Sequence, residues 1–351
     1  MKKMSKAIVA GLLLCIAVSV PGAHATDYFP NYERIRVLGM GGAFTALSDT
    51  PDAPFYNPAG LNSLSRGTVT IFDPMVEGSQ DIYDTYRQWD SVNTDNEVEI
   101  SNFLKQHVGT PEHFRFMLTP GYARKNFALY MLANACVDMR IRDQADPKVD
   151  VLGVGDVGGQ VSGAYGFKDG MYQVGATLRV VHRTSVDKSY TSRDLLAENL
   201  SFDNDALTGT GVSGDVGAIV TFPVAMSPSI GLVIKDIGSP SFGDAVKNQQ
   251  DVRVGFGAKR DFDLGKLKLA LDVRRIGYSE DFWKKVYLGG EFSFKKVLSL
   301  RAGLYQGYLT AGATLDLWIL QLSYATYAAE VGMFPGQVAD RRHALQLAFE
   351  Y

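Results

Sequence analysis

Apolar and polar residues alternate along most of the chain after about residue 66. In residues 266–273, Leu267, Leu269, Leu271 and Val273 alternate with lysine, alanine and aspartate. A period of two places successive side chains on opposite faces of a β-strand. The pattern therefore predicts an all-β protein. The same alternation recurs in residues 252–259, 298–305 and 345–351.

Fourteen segments of this kind are predicted, and many of them span about ten residues. Soluble sheets usually have strands of five or six residues, whereas strands that cross a membrane need about ten. The predicted strand centres lie near Thr70, Phe116, Met131, Gln160, Thr177, Gly217, Val233, Phe256, Ala270, Gly290, Leu300, Ala311, Leu322 and Gln346.

The predicted connections alternate in length. Those after even-numbered strands are short, and those after odd-numbered strands are mostly long, including residues 78–112 and 183–209; the short pair Gln306 and Gly307 is the exception. Short periplasmic turns and long outer loops characterise outer-membrane barrels. A soluble sandwich would also alternate, but it does not explain this loop pattern. Residues 66–351 are therefore predicted to form an antiparallel transmembrane β-barrel of about fourteen strands.

The polar faces of these strands would line the lumen of the barrel. A dry protein core does not accept so many charged side chains. Because eight strands give a filled barrel and sixteen to eighteen leave an aqueous channel, fourteen predict a lumen of intermediate width. The predicted lumen-lining residues are Arg179, Arg253, Lys268, Asp272, Glu291 and Arg301.

The N-terminal 25 residues resemble a signal peptide. Three lysines precede an apolar run at residues 7–20, and Ala23 and Ala25 form a small-residue cleavage site. This run is the one long apolar stretch in the 351 residues, so a polytopic helical membrane protein is excluded. We expect cleavage after Ala25 and export to the bacterial outer membrane. Cys136 is then the single cysteine, and an internal disulfide is excluded.

Residues 26–65 do not alternate and are predicted to be irregular. They are rich in glycine and small apolar residues, and Pro54 and Pro58 argue against a strand. The candidate functional residues of this segment are Gly39, Met40, Gly41, Gly42, Ala43, Phe44, Asp49, Phe55, Tyr56, Asn57, Pro58, Ala59, Gly60 and Leu61.

The strings G-M-G-G-A-F and F-Y-N-P-A-G-L in this segment closely resemble the start of the FadL-type transporters of fatty acids and aromatic hydrocarbons. They also resemble the related PorV-like outer-membrane proteins. The first resemblance implies a fourteen-stranded barrel with an internal N-terminal plug, which passively transports small hydrophobic compounds. The second implies an anchor or shuttle for secreted proteins, without transport. The C-terminal residues 347–351 resemble an aromatic assembly signal, which implies that Tyr351 contacts the barrel-assembly machinery.

Pro120 and Gly121 form a candidate lateral gate within the second predicted strand. Proline lacks the N–H that a strand ladder needs, and glycine allows a bend. A gap in the wall would let an apolar solute pass sideways into lipid. The alternative is a harmless bulge or an early strand end.

Catalytic chemistry is not predicted. His107, His113, His182 and His343 are not arranged as in barrel lipases or proteases, and no basic stripe indicates nucleic acid. We therefore expect no enzyme activity, no cofactor and no metal. The expected partners are outer-membrane lipid and a small hydrophobic ligand.

Overall fold

Antiparallel strands close on themselves to form the wall of a barrel. The computed structural model describes residues 32–196, 204–295 and 297–351, so the predicted signal peptide lies outside the described residues. The strand segments within the described residues are β1 (Thr68–Phe72), β2 (Met75–Ser79), β3 (Pro111–Leu118), β4 (Gly121–Arg124), β5 (Phe127–Arg142), β6 (Lys148–Phe167), β7 (Tyr172–Thr191), β8 (Leu207–Thr221), β9 (Ser229–Lys235), β10 (Asp251–Phe262), β11 (Gly265–Val273), β12 (Val286–Phe294), β13 (Leu298–Tyr305), β14 (Tyr308–Leu317), β15 (Leu320–Glu330) and β16 (Ala339–Glu350).

Two pairs of these segments each act as one strand of the wall. Segments β1 and β2 both pair with β16, and β3 and β4 both pair with β5. Counting each pair once, the sixteen segments form fourteen barrel strands. Pairing of β1 and β2 with β16 closes the barrel. The predicted fourteen-stranded antiparallel barrel is confirmed, and each predicted strand centre lies within its strand.

The helices of the described residues are short and are not part of the barrel wall. Within the N-terminal segment they are Ile35–Gly39, Ala53–Tyr56 and the 3-10 turn Pro58–Ser63. Ile82–Asp90 and Glu97–Gln106 lie in the first long loop, and a 3-10 turn forms at Phe282–Lys285. None of the helices in the described ranges has the length and apolarity required to cross a bilayer.

Strands β6 and β7 extend well beyond the wall. Each has 20 residues, about twice the 9–11 that span a bilayer. At the long-loop end, Ile100 and Leu104 of the helix Glu97–Gln106 pack in one apolar cluster with Ile141, Val149 and Tyr190 of β5–β7. The first long loop is therefore anchored on an extended sheet at the outer rim.

Side chains of β11 alternate between the outside and the inside of the barrel. Leu269 is 43% exposed on the outer face, whereas Lys268 and Asp272 are 8% and 0% exposed inside. Exposed apolar side chains also cover the outer face of the neighbouring strands, including Leu288, Leu300 and Leu322. This arrangement suits a wall that faces lipid.

Leu269→Arg is expected to destabilise the folded barrel in lipid by roughly 2–4 kcal/mol, because a guanidinium near the bilayer midplane loses its hydration. Leu264→Arg is the matched control, since Leu264 is exposed at the short turn between β10 and β11 and the cost falls to about 0–1 kcal/mol near the interface. Urea unfolding of both variants in vesicles measures the difference. Equal costs at the two positions would contradict a lipid-facing β11.

Candidate functional site: the plug and the interrupted strands

The N-terminal segment fills the inside of the barrel. We call residues 32–64 the plug segment. Its apolar side chains Leu38, Phe44, Phe55 and Leu61 are fully buried, and they pack in one cluster with inward-facing residues of the wall such as Tyr305. Of the fourteen residues that sequence analysis singled out here, all except the partly exposed Asp49 are buried.

Glycines place the plug backbone directly against the backbone of the wall. Gly41 has a φ of +63°, and a Cβ on it would lie 2.2 Å from the carbonyl oxygen of Leu288. On the facing strand, a Cβ on Gly289 would lie 2.0 Å from the carbonyl oxygen of Met40. A larger residue on either side would require the plug to move away. The G-M-G-G string of the plug and Gly289 of the wall thus both allow the two backbones to approach closely.

Asn57 anchors the second half of the plug. Its side-chain amide donates to the carbonyl oxygens of Thr45, Ala218 and Leu232 at 3.0–3.3 Å. Its side-chain oxygen accepts from the N–H of Ala59 at 3.2 Å and so caps the 3-10 turn Pro58–Ser63. One buried amide therefore ties together two parts of the plug and two strands of the wall.

Three of the predicted lumen residues bind the plug directly, namely Asp272, Lys268 and Glu291. Asp272 accepts from the N–H groups of Phe44 and Thr45 at 2.8 and 2.9 Å, and from the Thr45 hydroxyl at 2.7 Å. Lys268 lies 2.8 Å from Asp49. Burial alone would raise the pKa of Asp49. The neighbouring cations Lys268 and Arg36 outweigh burial, so the pKa falls below its usual range. The Lys268–Asp49 contact is therefore an ion pair.

Glu291 is the centre of a charge cluster between the plug and the wall. Arg36 of the plug donates to both of its carboxylate oxygens at 2.7 and 2.6 Å, and Arg301 of the wall donates at 2.7 Å. Lys268 lies 3.9 Å away.

The other two predicted lumen residues are also buried, but they form ion pairs with the wall. Arg179 contacts Asp215 and Asp236, and Arg253 contacts Asp251.

The strands that carry the candidate gate are interrupted at the same level. The first barrel strand breaks at Asp73 and Pro74, and the second breaks at Thr119 and Pro120. The Asp73 carboxylate accepts from the N–H of Thr119 at 2.6 Å, so a side chain replaces the ladder between these strands. Thr119 also donates its hydroxyl to Asp73 at 2.5 Å.

The plug contributes a cation to this break. Arg34 lies 3.0 Å from Asp73 and also donates to the Thr119 hydroxyl. Its guanidinium also forms an ion pair with Asp52 at 2.6 Å and lies 5.0 Å from the centre of the Phe55 ring. Asp73 and Thr119 are almost fully buried, so the break is closed in this structure.

The register shows on which side of the second strand the irregularity lies. Leu118 faces Ala133 and Gly121 faces Tyr130, so the pairing with β5 continues unshifted across Pro120. On the other side, Gly121 pairs with Thr70, and Met117 pairs with Met75. Between these two pairs the second strand has three residues and the first strand has four. The extra residue belongs to the first strand. A bulge therefore separates the first two barrel strands, while the second and third stay in register.

Gly121 itself is required by packing. A Cβ at this position would lie 2.4 Å from both the carbonyl oxygen of Leu129 and the ring of Tyr130. Tyr130 in turn donates its hydroxyl to the carbonyl oxygen of Pro51 in the plug at 2.9 Å. The glycine thus allows an aromatic residue of the wall to reach the plug beside the break.

A small cavity lies between the plug and the short-turn end of the barrel. Its volume is about 10 Å³, and Leu47, Asp49, Ser229 and Lys259 are among its lining residues. This is roughly the room that one water molecule needs. The cavity offers no space for an organic ligand, so passage through this region requires the plug to move.

Comparison with known proteins gives a structural match without a sequence match. No protein-family model and no curated protein matches the chain. The solved structure of the Ralstonia pickettii toluene transporter TbuX is similar with a TM-score of 0.52 and 12% identity, covering 91% of this chain and 98% of that chain. A mutant of the Pseudomonas putida monoaromatic hydrocarbon channel TodX gives a TM-score of 0.52 and 11% identity, over 92% and 97% of the two chains.

The chain shares its barrel fold with these transporters. The barrel fold that the FadL-type resemblance implied is thus confirmed. The sequence did not indicate the roles of Arg34, Asp73 and Thr119, which close the break in the wall. Pro74 was the available signal, because it interrupts the first strand as Pro120 interrupts the second.

Proposed function

We propose that the protein is an outer-membrane channel through which small hydrophobic compounds pass passively. The main support is the combination of a plugged fourteen-stranded barrel with a wall that is interrupted in two adjacent strands beside the plug. The barrel fold is shared with transporters of toluene and monoaromatic hydrocarbons. The substrate class is therefore a fatty acid or an aromatic hydrocarbon.

The proposed exit lies between the first two barrel strands, at Asp73 and Thr119. Four residues of the second strand, Gly121–Arg124, remain between this break and the short turn, so the break lies within the membrane-crossing part of the wall. An apolar solute gains roughly 25 cal/mol per Å² of surface on passing from water into hydrocarbon. Withdrawal of Arg34 with the plug would remove the cation that closes the break.

Placement in the outer membrane is supported by the same fold, and Tyr351 supports contact with the assembly machinery. The backbone of Tyr351 exchanges hydrogen bonds of 2.7 and 2.9 Å with Val69 and so continues the seam that closes the barrel. Its side chain is 84% exposed. An exposed aromatic group at the seam supports contact with the barrel-assembly machinery during insertion.

The experiment is an uptake assay in liposomes with a reversible lock on the break. In Asp73→Cys/Thr119→Cys, a disulfide between the two strands should reduce uptake of fatty acids and aromatic hydrocarbons to the level of empty liposomes. Reduction should restore uptake in the same sample. Thr119→Cys alone, treated with the same oxidant, is the control. Equal uptake by the oxidised and reduced double variant would contradict the lateral exit.

The second candidate function is a PorV-like anchor or shuttle for secreted proteins. It is favoured by the ordered outer surface, in which the helix Glu97–Gln106 packs on the extended strands β5–β7. It is also favoured by the buried charged side chains on the inner wall of the barrel, such as Arg179, Arg253 and Glu291. Absence of uptake by the wild-type protein with the whole panel of compounds would reject the channel and favour this alternative.

A further inference from the structure

A group of three side chains on the inner wall has the composition of a metal site. His113 of β3 pairs directly with Asp138 of β5, and Cys136 lies two residues before Asp138 on the same face of that strand. One potential ligand atom from each residue lies within 4.8 Å of the others. His113 and Cys136 are 0% and 1% exposed. We propose that His113, Cys136 and Asp138 form a Zn²⁺ site.

The distances suit a tetrahedral ion. Zinc bonds of about 2.0–2.3 Å place neighbouring ligand atoms roughly 3.3–3.7 Å apart. The Cys136 Sγ lies 3.9 Å from the His113 Nδ1, close to this value. The His113 Nδ1 lies 2.7 Å from an Asp138 oxygen, as in a hydrogen bond, so the two atoms separate slightly when zinc replaces the shared proton. Three protein ligands leave the fourth position for water.

The surrounding residues supply what a zinc ligand set needs. The His113 Nε2 lies 2.9 Å from a Glu77 oxygen. A carboxylate at the second ring nitrogen orients a metal-binding histidine and increases its basicity. Arg115 lies 3.8 Å from the Cys136 sulfur, and the thiolate is the form of cysteine that binds metal.

Charged side chains surround the three ligands. The carboxylates are Glu77, Asp138 and Asp340, and the guanidiniums are Arg115 and Arg342. A mixed sulfur, nitrogen and oxygen set favours zinc over the hard ions Mg²⁺ and Ca²⁺.

An ion can reach the site from the outer end. His113 is two residues from the start of β3 at Pro111, next to the first long loop. The Asp138 side chain is 34% exposed and therefore accessible to solvent. The site is distinct from the break at Thr119, and the proposal is independent of transport.

The test measures zinc and cobalt binding by the untagged full-length barrel in detergent. The wild-type protein should bind about one zinc ion per chain, and cobalt should give a thiolate-to-metal charge-transfer band in the near ultraviolet. Zinc should also displace cobalt and remove this band, a readout that requires no variant. Cys136→Ser should abolish the cobalt band, and His113→Gln should lower zinc affinity at least tenfold.

His182→Gln is the matched control, because His182 is exposed and bonds Thr210 away from the cluster. It should bind zinc like the wild-type protein. Wild-type barrel that binds no stoichiometric zinc and gives no charge-transfer band with cobalt would overturn the proposal. Unchanged zinc affinity in folded Cys136→Ser would overturn it as well.

Discussion

Deletion of residues 33–64 is expected to convert the barrel from a closed to a conducting state. These residues fill the interior between the strands, and fourteen strands enclose a lumen wider than wall side chains alone can fill. Single-channel conductance should rise well above that of the wild-type protein, because water replaces the plug. The wall should still insert, since its ladder is closed by β16 without the plug. Planar-bilayer recording and heat-modified gel mobility measure the two outcomes.

A pair of point variants tests the same expectation while keeping every residue of the plug. In Gly289→Val the new side chain would point into the carbonyl oxygen of Met40 and push the plug from the wall. In Gly290→Val it would point outward, where the nearest atom is a flexible end of Leu269 at 3.2 Å. Leak through Gly289→Val but not Gly290→Val is expected. Equal conductance of the deletion variant and the wild-type protein would show that the segment does not limit passage.

The barrel could be predicted from the sequence because its information is local. Alternation along residues 266–273 defines which side chains of β11 face outward. The loop lengths define which end of each strand lies at the short-turn end of the barrel and which at the long-loop end. Neither requires knowledge of distant contacts. The same local argument located Pro120, since proline interrupts a strand through its own missing N–H.

The closure of the wall could not be predicted in this way. Arg34 meets Asp73 and Thr119 across 39 and 85 residues, and only the folded plug places it there. The zinc ligands show the same limit. Cys136 and Asp138 share a face by alternation, but His113 joins them only through the register of β3 against β5. Register depends on the bulge and turns of the whole wall.

Glu291→Gln is expected to destabilise the plugged state by about 3–5 kcal/mol, the usual cost of removing one partner from a buried ion pair. In the wild-type cluster, Arg36, Arg301 and Lys268 surround two carboxylates, those of Glu291 and Asp49, so the sum of charges is +3 − 2 = +1. The substitution raises this sum to +2 without providing water to hydrate the arginines. Urea unfolding in detergent and conductance in bilayers both measure the effect.

The double variant Glu291→Gln/Arg36→Gln separates charge from packing. It returns the sum to +1, so it should be more stable and less leaky than Glu291→Gln alone even though it lacks two native side chains. Asp261→Asn is the control for a surface pair, because Asp261 is largely exposed, Lys266 is partly exposed and their pairing contributes less than about 1 kcal/mol. If Glu291→Gln costs no more than this control, the charge cluster does not hold the plug. The contacts of Asn57, Asp272, Arg34 and the glycines would then keep the barrel closed.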